Sequence, residues 1–202
     1  MPQAAANDTK LKNMYNTKND NTKLPVPDGQ LVRFSDYIPQ AVIDLRYATE
    51  NNFTGKRIYS SSEALLCFGT VKKLIKVQQE LDAMGLRIVV WDAYRPMEAQ
   101  FRLWEVCPDP TFVADPRREI TAHARGNTVD ISLTGVDGTP VEMPSEFDDF
   151  SSRADRSYTN IPENARENAL MLEKLMEKIG FTGYFNEWWH YSDNEEYDII
   201  VR

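Results

Sequence analysis

The chain has 202 residues, 42% of them apolar and 27% charged, with a net charge of −8. That length and apolar share suit one substantial core that needs no disulfide framework. The acidic balance repels phosphate backbones and offers no basic face to a bilayer, so nucleic acid is excluded as an expected partner, and no apolar run reaches the roughly 18 residues of a membrane span.

Residues 1–28 are polar, rich in Asn, Lys, Asp and Thr, and end at the turn P-V-P-D-G. They read as a flexible tail ahead of a domain over 29–202. The first ten residues lack the apolar stretch of a signal peptide. Cytoplasm therefore stands beside the cell envelope, which a signal removed earlier would imply. No pattern specifies an oligomeric state. Ser60 and Glu63 have capping-box spacing before a helical run with an apolar stripe at Val71, Leu74, Ile75 and Leu81, which Gly85 ends. Arg87 to Trp91 reads as a buried strand. Pro96 opens a second helix through Phe101 and Trp104.

Val129-Asp130-Ile131-Ser132-Leu133 alternates strictly. It predicts a strand with its apolar residues on the core and Asp130 and Ser132 on the other face. Ala165, Ala169, Leu172, Met176 and Ile179 share one helix face, with Pro162 before it and Gly180 after it. Trp188 to Tyr191 and Tyr197 to Val201 read as short strands. Helices interleaved with short strands, without a repeated β-α-β rhythm, predict an α+β single domain with a mainly antiparallel central sheet flanked by helices. The two cysteines, Cys67 and Cys107, are expected as buried thiols rather than a disulfide.

The chain has only two histidines, His123 in T-A-H-A-R-G-N-T-V-D and His190 in N-E-W-W-H-Y. A lone histidine is more often a hydrogen-bonded structural residue than a ligand. Taken together, however, His123, Asp130 and His190 supply the three protein ligands of a catalytic zinc site that keeps one position open. Gly126 lets the backbone turn between His123 and Asp130. The bland reading leaves Asp130 facing solvent. Glu187 stands three residues before His190, and an ideal strand would point the two to opposite faces. With a bend it becomes the base that deprotonates a metal-activated water; without one it is a surface glutamate. Trp188 and Trp189 read as core or pocket walls. Arg95, in W-D-A-Y-R-P, follows a buried strand and suits an oxyanion partner, or a structural ion pair with Asp92. Neither a G-x-S-x-G elbow nor H-E-x-x-H is present, and no phosphate-loop or dinucleotide fingerprint points to a nucleotide cofactor.

The segments D-L-R-Y-A-T-E-N-N-F-T-G (Asp44 to Gly55), W-D-A-Y-R-P, H-A-R-G-N-T-V-D and E-W-W-H together resemble the D-Ala-D-Ala dipeptidases of the vancomycin-resistance type, within the D-Ala-D-Ala zinc metallopeptidases. The resemblance runs from about Ile43 to Tyr191. It implies hydrolysis of a small dipeptide substrate with one catalytic zinc ion per chain, held by His123, Asp130 and His190. It further implies Glu187 as general acid and base, Arg95 as transition-state stabiliser, Asp148 as anchor of the substrate ammonium and Tyr47 as a pocket tyrosine. Asp148 otherwise reads as an exposed loop acid, and Tyr47 as core. Thr121-Ala122 stand where a familiar relative has a Ser-Ser pair. The competing readings are a D,D-carboxypeptidase acting on longer cell-wall peptides and a zinc-stabilised binding domain without catalysis.

Overall fold

The computed structural model describes residues 25–110, 113–118 and 120–200. The tail expected over 1–28 lies outside the described residues as far as residue 24, and Pro25 to Asp28 are exposed. A small antiparallel sheet pairs β1 (Leu31–Arg33) with β3 (Leu65–Cys67). The main sheet has five strands in the order β2 (Val42–Ile43), β4 (Leu86–Asp92), β5 (Thr128–Gly135), β7 (Glu187–Asp193) and β6 (Phe181–Tyr184). Among the described strands only β2 and β4 pair in parallel. With helices α1 (Phe68–Asp82), α2 (Met97–Val106) and α3 (Glu163–Ile179), the architecture is α+β, mainly antiparallel, as the sequence pattern predicts.

The predicted apolar stripes are the buried faces. Val71, Leu74, Ile75 and Leu81 of α1 are buried and pack on β4. Ala165, Ala169, Leu172 and Met176 of α3 are buried, and α3 packs on β6, β7 and α1. Because α1 and α3 touch each other, they cover one face of the sheet. Val129, Ile131 and Leu133 supply the matching apolar side of β5. Gly180 follows α3 with φ 100°, a left-handed conformation that glycine adopts without strain.

Three local expectations change. Ser60 and Glu63 cap no helix. The run Leu65–Cys67 pairs with β1 instead, so α1 starts only at Phe68, and Ser61 Oγ accepts from the Glu63 N–H at 3.1 Å. The helix that Pro96 opens runs through Phe101 and Trp104 as predicted, and it buries Ala99, Gln100 and Leu103. Tyr197 to Ile200 form no strand beyond a bridge between Gln30 and Ile200; Tyr197 turns its hydroxyl to Asp193 Oδ2 at 3.0 Å, and Val201 lies outside the described residues. Cys67 and Cys107 are free thiols as expected, but Cys107 is only half-buried.

The sheet face away from α1 and α3 carries the polar side of β5. It does not face water: Asp130 and Ser132 are 2% and 6% exposed. Residues after β5 return over this face, where Val141, Met143 and Phe147 pack against the core. Two irregularities in the sheet shape it. The β4–β5 register steps from Val90↔Ile131 to Asp92↔Asp130, leaving Trp91 as an extra residue. This bulge turns Asp92 onto the same face as Asp130, although two residues on from core-facing Val90 it would otherwise point into the core. The β6–β7 register steps from Gly183↔Tyr191 to Tyr184↔Glu187, so β7 carries the surplus residues Trp188, Trp189 and His190.

Candidate active site and metal centre

Tyr47, Arg95, His123, Asp130, Asp148, Glu187 and His190 all line one cavity of about 570 Å³. Asp130 and His190 are direct cross-strand partners on β5 and β7, which sends both side chains to the same face. His123 arrives from a 3-10 turn, His123–Arg125, that closes on Gly126 at φ 69°. That positive φ reverses the chain into β5, and glycine tolerates it.

The ligand atoms of His123, Asp130 and His190 lie within 4.8 Å of one another. His123 Nε2 is 3.2 Å from Asp130 Oδ2, and His190 Nδ1 is 3.1 Å from Asp130 Oδ1. His123 Nδ1 lies 2.9 Å from the Ala93 carbonyl. A carbonyl only accepts, so Nδ1 carries the proton and a neutral ring turns its Nε2 lone pair toward the carboxylate. Asp130 Oδ1 and His190 Nδ1 are buried without a hydrogen-bond partner. Lone pairs this close repel unless a cation or protons lie between them. The trio therefore suits a divalent metal with mixed nitrogen and oxygen ligands.

The electrostatics agree with such a site. Burial pulls His123 down, but the Asp130 and Asp92 carboxylates outweigh it and leave its pKa raised. Burial pushes Asp130 up, and the two histidines reverse this to hold it well below the usual carboxylate range.

Glu187 reaches the same point. Its Oε2 lies 3.4 Å from His190 Nδ1, because the surplus residues of β7 supply the bend that i,i+3 spacing requires. Burial raises its pKa, opposed by His190. Trp188 and Trp189 are buried as expected, and the Trp188 indole N–H donates to Ser145 Oγ at 3.0 Å.

Arg95 makes the ion pair that was one of its two sequence readings, and it does so at the cavity wall. Its Nη2 lies 2.5 Å from Asp92 Oδ2. Nη1 donates to Gln100 Oε1 at 2.8 Å, and the guanidinium carbon lies 5.1 Å from the centre of the Tyr47 ring. Burial disfavours its charge, but Asp92 overcomes this and keeps Arg95 firmly protonated. Asp148 is not an exposed loop acid: burial lifts its pKa to about 7, against the Tyr47 hydrogen bond that lowers it. Tyr47 is 3% exposed and also touches Tyr59, Phe53 and Phe147, so it is both core and cavity wall.

Sequence reasoning missed the support behind Arg95. Asp92 is fully buried and accepts from the Tyr59 hydroxyl at 2.5 Å and the Ala93 N–H at 2.8 Å. Gln100, also fully buried, bridges Arg95 to the Ala114 carbonyl at 2.8 Å. Asp92 was legible only as an acid near Arg95, and a glutamine inside a helix gave no signal. Thr121 is 7% exposed, lines the cavity, and its Oγ1 has no hydrogen-bond partner. Its hydroxyl is thus a polar group at the cavity wall that no described residue satisfies.

Sequence comparisons agree on one family. The peptidase M15 family model, described as D-ala-D-ala dipeptidase, matches residues 28–199. A D-alanyl-D-alanine dipeptidase of Escherichia coli (strain K12) is 36% identical over 165 residues, covering 80% of this chain and 83% of the relative. One from Enterococcus faecium is 30% identical over 173 residues, covering 76% of this chain and 86% of the relative. Among solved structures, the chain is similar to a mutant of the vancomycin resistance D,D-pentapeptidase VanY in complex with Zn(II). The TM-score is 0.44 with 19% identity, covering 68% of this chain and 76% of that one. No helix among the described residues is long and apolar enough to cross a membrane.

Proposed function

The chain belongs to the D-ala-D-ala dipeptidase family, and from that premise we propose that it hydrolyses D-alanyl-D-alanine with one zinc ion held by His123, Asp130 and His190. The observation that carries the reading is the pair of buried, unpartnered atoms Asp130 Oδ1 and His190 Nδ1, facing each other beside a histidine whose Nδ1–H is already committed to Ala93. A zinc ion held there would acidify a water and polarise the scissile carbonyl.

The chain's own residues do the rest. Glu187 accepts the proton of the attacking water on its carboxylate and returns it to the departing amine. Arg95 directs guanidinium N–H groups at the oxygen that gains charge when the carbonyl becomes tetrahedral. Its attachment to Asp92 and Gln100 fixes that direction before substrate arrives, so little reorganisation accompanies the reaction. Asp148, oriented by Tyr47, pairs with the free ammonium of the substrate. An acid at that end favours a dipeptide with a free amino terminus over a longer stem peptide, whose nitrogen there is an uncharged amide.

A metal-replete assay compares D-Ala-D-Ala, its L,L isomer and an N-acylated D-Ala-D-Ala. Release of D-alanine from the first alone supports the reading. Comparable cleavage of the acylated substrate indicates a D,D-carboxypeptidase, and binding without turnover indicates a non-catalytic zinc domain.

A further inference from the structure

The irregular part of the sheet, where Glu187 and His190 converge, is held by a side chain from outside the sheet. Where β6 and β7 separate, residues 154–156 fill the gap: the Trp188 N–H donates to the Ala154 carbonyl at 2.9 Å, and the Arg156 N–H donates to the Phe185 carbonyl at 2.8 Å. The Arg156 guanidinium completes the repair. Nη2 donates to the carbonyls of Trp188 and His190, both at 3.0 Å, and Nε donates to the Tyr184 carbonyl at 2.9 Å. In a regular hairpin, strand N–H groups would take such carbonyls; here β6 has no residues to offer.

The guanidinium is buried, with its carbon 4.5 Å from the centre of the Tyr191 ring and Nη1 3.5 Å from Glu173 Oε2 on α3. Gly183 makes room for it, because a Cβ at that position would collide with the guanidinium atoms. A planar fork of several donors in fixed directions suits three carbonyls at once, and a lysine ammonium does not reproduce it.

We propose that Arg156 is a positioning residue for the active site: its guanidinium fixes the backbone path from Glu187 to His190 and thereby keeps the base and the metal ligand on one face of β7. This rests on the roles given above to Glu187 and His190. Arg156 itself does not line the cavity, so it acts through these two residues and not on substrate.

The test uses full-length Arg156→Lys, Arg156→Ala and Gly183→Ala, the last displacing the guanidinium without removing it. Zinc affinity is measured by chelator competition, and kcat and KM for D-Ala-D-Ala are measured on folded, zinc-saturated protein below each variant's Tm. Zinc affinity is expected to fall roughly ten- to a hundredfold, the scale seen when groups that orient a metal ligand are lost. The value of kcat is expected to fall by roughly a hundredfold, as for a misplacement on the order of 1 Å, with KM unchanged. Added guanidinium should restore part of kcat to Arg156→Ala and none to Gly183→Ala. Folded Arg156→Lys and Gly183→Ala with native zinc affinity and native kcat would overturn the proposal. So would failure of all three variants to fold, which a purely structural role explains. Because zinc affinity needs no substrate, a wild-type protein that fails to cleave D-Ala-D-Ala would reject the proposed function while leaving the metal arm of this test intact.

Discussion

The hydroxyl of Tyr47 donates to Asp148 Oδ2 at 2.9 Å across 101 residues of chain. It ties the short turn after β2 to the loop that returns over the sheet. Asp148 takes φ 56° in that loop, a left-handed conformation unusual for a residue with a side chain. A half-buried acid in a left-handed backbone conformation is costly to keep, and such features gather at functional sites.

Asp148→Asn should weaken function while strengthening the fold. Loss of a charge-assisted pair is worth about 1.5–3 kcal/mol, so KM for free D-Ala-D-Ala should rise roughly ten- to a hundredfold, with little change for N-acylated substrate. Folded Asp148 holds its proton up to about pH 7, whereas an unfolded aspartate releases it near pH ~4. The native state therefore binds more protons between these values, and stability falls as pH rises through that window. In chelator-treated protein, the Tm advantage of Asp148→Asn should grow between pH ~5 and ~8. A constant Tm difference across that range would show that burial of the charge is not what the substitution relieves.

Zinc binding should release protons. The pKa of His123 is raised above 6.5 in the protein without metal, so near neutral pH part of the population carries a proton that the metal must displace. Zinc affinity should rise with pH through the interval above 6.5. Calorimetry in buffers of differing ionisation enthalpy should show the released proton. His123→Ala and His190→Ala should each lose most of the zinc, and full occupancy in both would remove them from the ligand set.

The cluster of His123, Asp130 and His190 was legible because each member left a local mark. His123 and His190 are the chain's only histidines, and strict alternation along Val129–Leu133 placed Asp130 opposite the core. Periodicity, at helical spacing, likewise predicted which helix faces are buried. Alternation could not tell that the polar side of β5 is covered, since that depends on a distant loop folding back. The Ser60–Glu63 spacing misled because an apolar run that can start a helix also pairs as a strand, and β1 claimed it. The convergence of Glu187 and His190 rests on surplus residues in β7, and Asp92 faces the site through a bulge at Trp91. Such register steps come from pairing between strands and leave no periodic trace in either strand alone.

Breaking the support behind Arg95 should be expensive. Asp92 is fully buried and accepts from Arg95, Tyr59 and Ala93. Asp92→Ala leaves a buried guanidinium without its counterion, at a cost of roughly 3–5 kcal/mol. Chemical denaturation should show that loss, together with reduced kcat in whatever fraction remains folded. Arg95→Lys should keep both the fold and the zinc while lowering kcat by roughly a hundredfold or more, because an ammonium cannot reproduce the guanidinium fork. Native turnover in Arg95→Lys would reduce Arg95 to a structural counterion.

Glu187→Gln separates the proposed base from the metal ligands. Glu187 approaches His190 Nδ1 to 3.4 Å, yet its side chain keeps 34% exposure on the cavity that His123, Asp130 and His190 also line. Burial raises its pKa from 4.5, which makes its carboxylate a better proton acceptor than a free glutamate. A metal ion held by His123, Asp130 and His190 would acidify the water but would leave its proton without a destination, and the amine could not depart without receiving one. Glutamine keeps the volume and the hydrogen-bonding reach but cannot accept and return that proton. The variant should therefore fold, retain about one zinc per chain and lose turnover by roughly a hundredfold or more, the scale of general acid–base catalysis. Zinc loss with global unfolding would mark Glu187 as structural. A folded, zinc-loaded Glu187→Gln with near-native turnover would reject Glu187 as the base even with the three ligands correctly assigned.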